Sequence, residues 1–406
     1  MKKSAWRLGL LMALSMPSTE AANREIRALF QPDPSQPAKN VFLNKTQSSG
    51  YCGSYPDECA LHNMFSIQLP VRFDSTRPIQ PGDSIPLKVP ANWRQLTVTN
   101  RETQETETVE VRIIGIGSNF VLSDSAAKLV GVTDILEGHQ QLWTGSSWVY
   151  APEPCQYSGV GLYTPTTYRF FWKAPVEAAC VKVAAFTIPS MYFDTLDFAY
   201  ELRTPNPLGM SSGLYTGPIS YTLGPGADFD LGPLMQPDDG SLTLDFVLDV
   251  QHTLKVEIPP GGNLVILEPQ GGWQSWLNQG RKPTRLLRDQ TFNISASSRF
   301  KMILQCQYYS GNNCAMWEPN VGHTVPLEVS VTLPLGLVDA AEQPVNRRRL
   351  RRDGVGTELF QPSIYLNRKP GTLHFEVPRD EVAEMLKPGM ARTYSGNVTV
   401  IWDSDL

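Results

Sequence analysis

Charge is scarce in this 406-residue chain: Asp, Glu, Lys and Arg make up 18% of it, and the net charge of -5 offers no basic footprint for nucleic acid. Histidine is scarcer still. His62, His139, His252, His323 and His374 stand singly and no C-x-x-C occurs, so no metal-binding spacing is present and neither a metal nor a cofactor is assigned. Beyond the N-terminus no apolar run approaches the roughly 20 residues that a membrane-crossing helix needs. Helical periodicity is confined to the short segments Ser123–Val130, Trp273–Asn278 and Asp380–Leu386, the last closed by Pro388-Gly389. The chain is rich instead in turn formers, with 33 prolines and 31 glycines, while 41% apolar residues exclude general disorder. That balance predicts an all-β fold rather than a helical enzyme.

Basic residues Lys2, Lys3 and Arg7 precede an apolar run from Leu8 to Met16, and Thr19 and Ala21 occupy small-residue positions. This is the pattern of a secretory signal peptide over residues 1–21, with cleavage expected after Ala21 or Ala22. About 385 residues remain, more than one hydrophobic core usually serves, so two domains are expected. Six cysteines in an exported chain predict disulfides. Short loops favour nearest-neighbour bridges, Cys52 with Cys59, Cys155 with Cys180 and Cys306 with Cys314, among the fifteen pairings that six cysteines allow.

Strict alternation marks strands through Phe65–Phe73, Val109–Ile113, Leu242–Val250, Leu254–Ile258 and Val325–Leu333. The proline- and glycine-rich stretch Arg203–Gly213 reads as a linker. The expected division is an N-terminal domain over 22–204, a linker over 205–212 and a C-terminal domain over 213–406. A strand follows the linker as Tyr215–Leu223, and another runs from Tyr394 to Trp402 with four residues after it. A sandwich whose final strand needs a further neighbour leaves an apolar groove and unpaired backbone groups for another polypeptide to fill. An ordinary strand of a complete domain is the competing reading. In Ala22–Pro37 the large apolar residues Ile26, Leu29 and Phe30 lack period-2 spacing and three prolines follow, so this segment is expected to be a poor donor strand. A subunit that accepts a strand without donating one belongs at the tip of a polymer.

The segment Gly213–Gly232, the segment Tyr394–Leu406 and the two-halves layout resemble the pilin domain of the CfaE/CblD-like fimbrial tip proteins, or pilus biogenesis initiators. The resemblance implies two tandem immunoglobulin-like β-sandwich domains, the C-terminal one an incomplete pilin-type sandwich. It implies a chaperone–usher tip adhesin that binds a host glycan or glycoprotein receptor, with a periplasmic chaperone, an outer-membrane usher and a major pilin subunit as partners. Export through the periplasm to the fimbrial tip follows. The chaperone or donor strand is expected along Tyr394, Val398, Val400 and Trp402, with the Leu406 carboxylate as anchor; Asp405 stands where many pilins of the wider class carry a penultimate tyrosine. Receptor contact by basic side chains makes Arg94, Arg101, Arg112, Arg169 and Lys173 candidates, with the aromatics up to Trp172 as a platform for a sugar. The blander reading makes these aromatics core and these cations solvated.

No catalytic residues are assigned. Gly209–Gly213 matches the spacing of a serine-hydrolase elbow, but prolines precede it and a strand follows, so linker is the better reading. The run Arg347–Arg352 is expected to be a solvated loop. A secreted β-rich carbohydrate-active enzyme and a pilus initiator without receptor binding are the rival functions.

Overall fold

The computed structural model describes residues 22–62, 64–157, 159, 161–387 and 392–404. The expected signal peptide and Leu406 lie outside the described residues. The fold is all-β, and its side chains gather into two main cores, one built from residues between Ile26 and Val250, the other from residues between Leu286 and Val382. No helix of the described residues is long and apolar enough to cross a membrane.

The first core is organised by the strand Thr106–Leu122, which pairs with Arg94–Asn100, Leu196–Arg203, Thr167–Lys173 and Met191–Phe193 along its length. Its middle carries Gly115 and Gly117 because the neighbouring strand crowds it. A Cβ at either position would stand 2.6 Å from the Phe171 ring. Beneath the sheet, Trp148 stacks on Trp172 at 5.1 Å and also meets Phe170, Trp143, Phe120 and Phe193. Such ring pairs add about 0.5–1.5 kcal/mol each beyond the area they bury.

The strand Ser241–Val250 is filled on both edges, antiparallel by Gly213–Thr222 and parallel by Ala22–Phe30. Ile26, Ala28 and Phe30 are its buried inward residues. The N-terminal segment is therefore a period-2 strand after all, contrary to its expected irregularity. Ala28 holds the inward position that a search for large apolar residues passes over.

Residues 213–250 share the first core, so the division between cores falls after Val250, not at 205–212 as expected. The supposed linker is fastened. Leu208 and Met210 are buried in the first core, and Asn206 caps the short 3-10 turn Pro207–Gly209 through Leu208 N–H. Ser211 N–H donates to Glu105 Oε2 at 2.9 Å, Tyr215 Oη donates to the same carboxylate, and Arg299 from beyond the division donates to Ser211 Oγ at 3.0 Å and to Glu105 Oε1 at 3.2 Å. His252 bridges Met210 O at 2.9 Å and Ser297 Oγ at 3.1 Å, and burial pushes its pKa down.

The second unit has a sheet ordered Leu254–Glu257, Leu286–Ala296, Leu366–Val377, His323–Thr332, Asn313–Glu318 and Tyr308–Ser310. Facing strands comprise Lys301–Cys306 with Val398–Asp403 and Leu337–Asp339 with Phe360–Pro362, joined by a Phe300–Phe360 bridge. Disulfides link Cys52 to Cys59, Cys155 to Cys180 and Cys306 to Cys314. The arginine run is not a loose loop. Arg348–Leu350 is a strand paired with His323–Thr332, and Arg348 and Arg349 meet Asp339 and Glu328. Arg352 lies 3.8 Å from the Tyr309 ring centroid.

Two stability predictions follow from this packing. Phe30→Ala removes a fully buried ring and is expected to cost roughly 3–5 kcal/mol, read as a lower urea midpoint for the first unit. Lys182 is buried, its Nζ donating to Ser147 O at 3.1 Å and Tyr150 O at 3.0 Å, and desolvation pushes its pKa from 10.5 down to about 8. The folded chain then binds fewer protons than the unfolded chain between those values, so stability from this site rises as pH climbs through that window and falls away as pH drops through about 8. Urea midpoints at pH 7 and pH 10 should show this gain in the parent chain and its loss in Lys182→Met.

Candidate functional site

Hydrophobic alternation built the strand Val398–Asp403, but the fold leaves it half covered. Its residues pair antiparallel with Lys301–Cys306 from Val398↔Cys306 to Asp403↔Lys301. Among the described residues no strand pairs with the opposite edge of 398–402. Val398, Val400 and Trp402 point toward the second core without being fully buried, and Trp402 meets Phe292 at 5.0 Å and Phe300 at 5.7 Å. Leu254 and Val256, on the first strand of the same unit, are also only partly buried against that core, and that strand pairs with Leu286–Ala296 on one side. Ile258, Leu264 and Ile266, next along the chain, are more than half exposed. Thus both terminal strands of the second unit carry apolar rows without full cover. Tyr394 lies before the strand rather than within it, with its hydroxyl 2.8 Å from His323 Nδ1.

The basic candidates separate once their partners are placed. Trp172 is fully buried, and its Nε1–H donates to Trp148 O at 2.6 Å; it is core and presents no face to a sugar. Arg169 donates to Asp197 Oδ2 at 2.6 Å, and the same oxygen accepts Tyr51 N–H at 2.8 Å. Asp197 is fully buried; desolvation pushes its pKa up, opposed first by the charge of Arg169. This pair seats the disulfide-bearing turns Tyr51–Ser54 and Pro56–Leu61 on the sheet, so Arg169 is a structural residue. Arg94 is held by Asp228, with its guanidinium 5.1 Å from the Tyr221 ring centroid, and Arg101 is exposed at a turn.

Only Arg112 and Lys173 come together. They line a cleft of about 220 Å³ with His62, Gln156, Phe171 and Glu201. Arg112 Nε donates to Glu201 Oε2 at 2.7 Å and its guanidinium sits 4.7 Å from the Trp93 ring centroid. Lys173 Nζ lies 3.4 Å from His62 Nδ1 and, among the described residues, has no carboxylate partner. Sequence reasoning missed His62 and Gln156, which lie distant in the chain and carry no motif. Among the described residues no group of three or more His, Cys, Asp or Glu side chains is placed to hold a metal ion.

No protein-family model and no curated protein matches the chain. Among solved structures it is similar to CfaE, the adhesive subunit of CFA/I fimbria of enterotoxigenic Escherichia coli, at 10% identity over 95% of this chain and 93% of that chain, with a TM-score of 0.24. A chaperone–tip adhesin complex of CFA/I fimbriae biogenesis gives 10% identity over 96% and 98%, at a TM-score of 0.25. The CsuC–CsuE chaperone–tip pre-assembly complex of Acinetobacter baumannii Csu pili gives 9% over 94% and 99%, at 0.20.

Breaking the Arg169–Asp197 pair strands a buried carboxylate. Arg169→Ala is expected to cost roughly 3–5 kcal/mol of first-unit stability in urea titration, whereas Arg101→Ala should stay within about 0.5 kcal/mol.

Proposed function

We propose that this chain is a fimbrial tip subunit of the chaperone–usher type, working by binding rather than catalysis. The observation that carries this reading is the uncovered edge of Val398–Trp402, together with the half-buried apolar rows on both terminal strands of the second unit. A strand laid along that edge pairs free backbone groups and covers Val398, Val400 and Trp402, with a gain on the order of 1 kcal/mol for each apolar side chain it finishes burying. A periplasmic chaperone supplies such a strand first, a major pilin replaces it at the outer-membrane usher, and the first unit faces outward. The N-terminal strand supports an acceptor role because it is already committed to Ser241–Val250 of its own sheet. The host receptor is a glycan or glycoprotein, and the cleft between Arg112 and Lys173 supports an anionic group on it.

The acceptor role is tested by extending the C-terminus with a flexible linker and an alternating apolar strand. Soluble periplasmic yield and the melting temperature of the second unit should both rise, and Val400→Asp in the extended chain should cancel the gain. Equal yield and melting temperature with and without the extension would sink the acceptor reading. On sialylated glycan surfaces, Lys173→Ala should weaken binding by about tenfold, roughly 1.4 kcal/mol, while Arg101→Ala leaves it unchanged.

A further inference from the structure

The backbone nitrogen of Ala22 donates to Asp239 Oδ2 at 2.7 Å, in the length range of a charge-assisted contact. Asp239 is held to receive it. Its other oxygen, Oδ1, accepts Ser241 N–H at 3.0 Å, which fixes the carboxylate at the start of Ser241–Val250. Ala22 stands in register with that strand, opposite Leu242, so its backbone is held alongside the residues that fix Asp239.

We infer that Ala22 is the first residue of the exported chain and that its new α-ammonium closes on Asp239 as a latch for the N-terminal strand. The signal sequence permits cleavage after Ala21 or after Ala22, and the strand geometry separates these outcomes. Successive N–H groups of a strand point to opposite edges, so an ammonium at Asn23 faces away from the side on which Asp239 receives Ala22. Hydrolysis of the Ala21–Ala22 peptide bond consumes one water, leaving a carboxylate on Ala21 and an amine on Ala22 that takes up a proton. A neutral amide donor thereby becomes a cation against a fixed carboxylate. The charged form of this contact is made only on processing, and it strengthens the hold on the segment from Ala22 to Phe30 in its own sheet.

The inference rests on export but not on the fimbrial assignment. Its test is expression of the full-length precursor in a bacterial periplasm, with intact mass and melting temperature as readouts. The expected mass lacks residues 1–21. Two variants then probe the latch: Asp239→Asn, and insertion of one glycine between Ala21 and Ala22, which moves the ammonium away while keeping the Ala22 N–H and the Asp239–Ser241 bond. Each is expected to lower the first-unit melting temperature by about 2–4 °C, and the two together by little more than either alone. A mature chain beginning at Asn23 or elsewhere overturns the inference. So does an inserted glycine, verified by mass, that leaves the melting temperature unchanged, or strictly additive losses. A product retaining all of residues 1–21 overturns the export reading as well, which distinguishes the two failures.

Discussion

Backbone pairing along both edges of Ser241–Val250 organises one end of the first unit's sheet. Gly213–Thr222 fills one edge and Ala22–Phe30 the other, so the apolar row Leu242, Leu244, Phe246, Leu248 and Val250 is buried without help from another chain. The second unit meets the same requirement only in part. Its counterpart strand, Val398–Asp403, is paired along one edge, and its inward side chains stop short of full burial. An amide edge left to water beside an apolar row is both an aggregation hazard and a template. The contrast between a strand filled on both edges in the first unit and one filled on a single edge among the described residues of the second is what supports the proposed polymer-end role.

The junction between the units depends on few but costly groups. Glu105, Ser211, Tyr215 and Arg299 form one connected network, and Glu105 keeps a lowered pKa despite partial burial because Tyr215, Ser211 and Arg299 all favour its anion over the opposing desolvation. The Tyr215 phenol, beside that anion and partly desolvated, is pushed up to about 12 and stays a donor. A network in which each member satisfies another is stiff, because removing one strands the rest. The segment that looks loosest by composition is therefore held firmly on both sides.

Alternation made most of the strands legible. The rows at Val109–Ile113 and Leu242–Val250 lie in strands, the row from Val325 lies in one that ends at Thr332, and the helical signals near Ser123, Trp273 and Asp380 correspond to the short helices Ala126–Val130, Gln274–Gln279 and Arg379–Met385. Leu254–Ile258 shows what alternation leaves out: it announces an apolar face but not whether anything covers that face, and Ile258 is half exposed. The boundary was misplaced because prolines and glycines mark irregular backbone, whereas a unit is defined by which side chains share a core. Ala28 was hidden by size, since a small residue serves as an inward position where the sheet packs closely.

The binding candidates show a different limit. Whether an arginine is available to a ligand depends on whether the fold brings it a carboxylate, and the acids that engage Arg94, Arg112 and Arg169 are Asp228, Glu201 and Asp197, none of them near in sequence. A buried pair such as Arg169–Asp197 has its charge consumed by the fold; releasing it to a ligand would abandon Asp197 in the core. Trp172 fails for the parallel reason that its ring is spent on Trp148. Lys173, one residue further along the same strand, points to the opposite face and lines the cleft that Arg112 shares. The period-2 geometry of a single strand thus separates a core residue from a cleft-lining one, and the proposed anionic ligand would have to engage Lys173 without displacing Glu201 from Arg112.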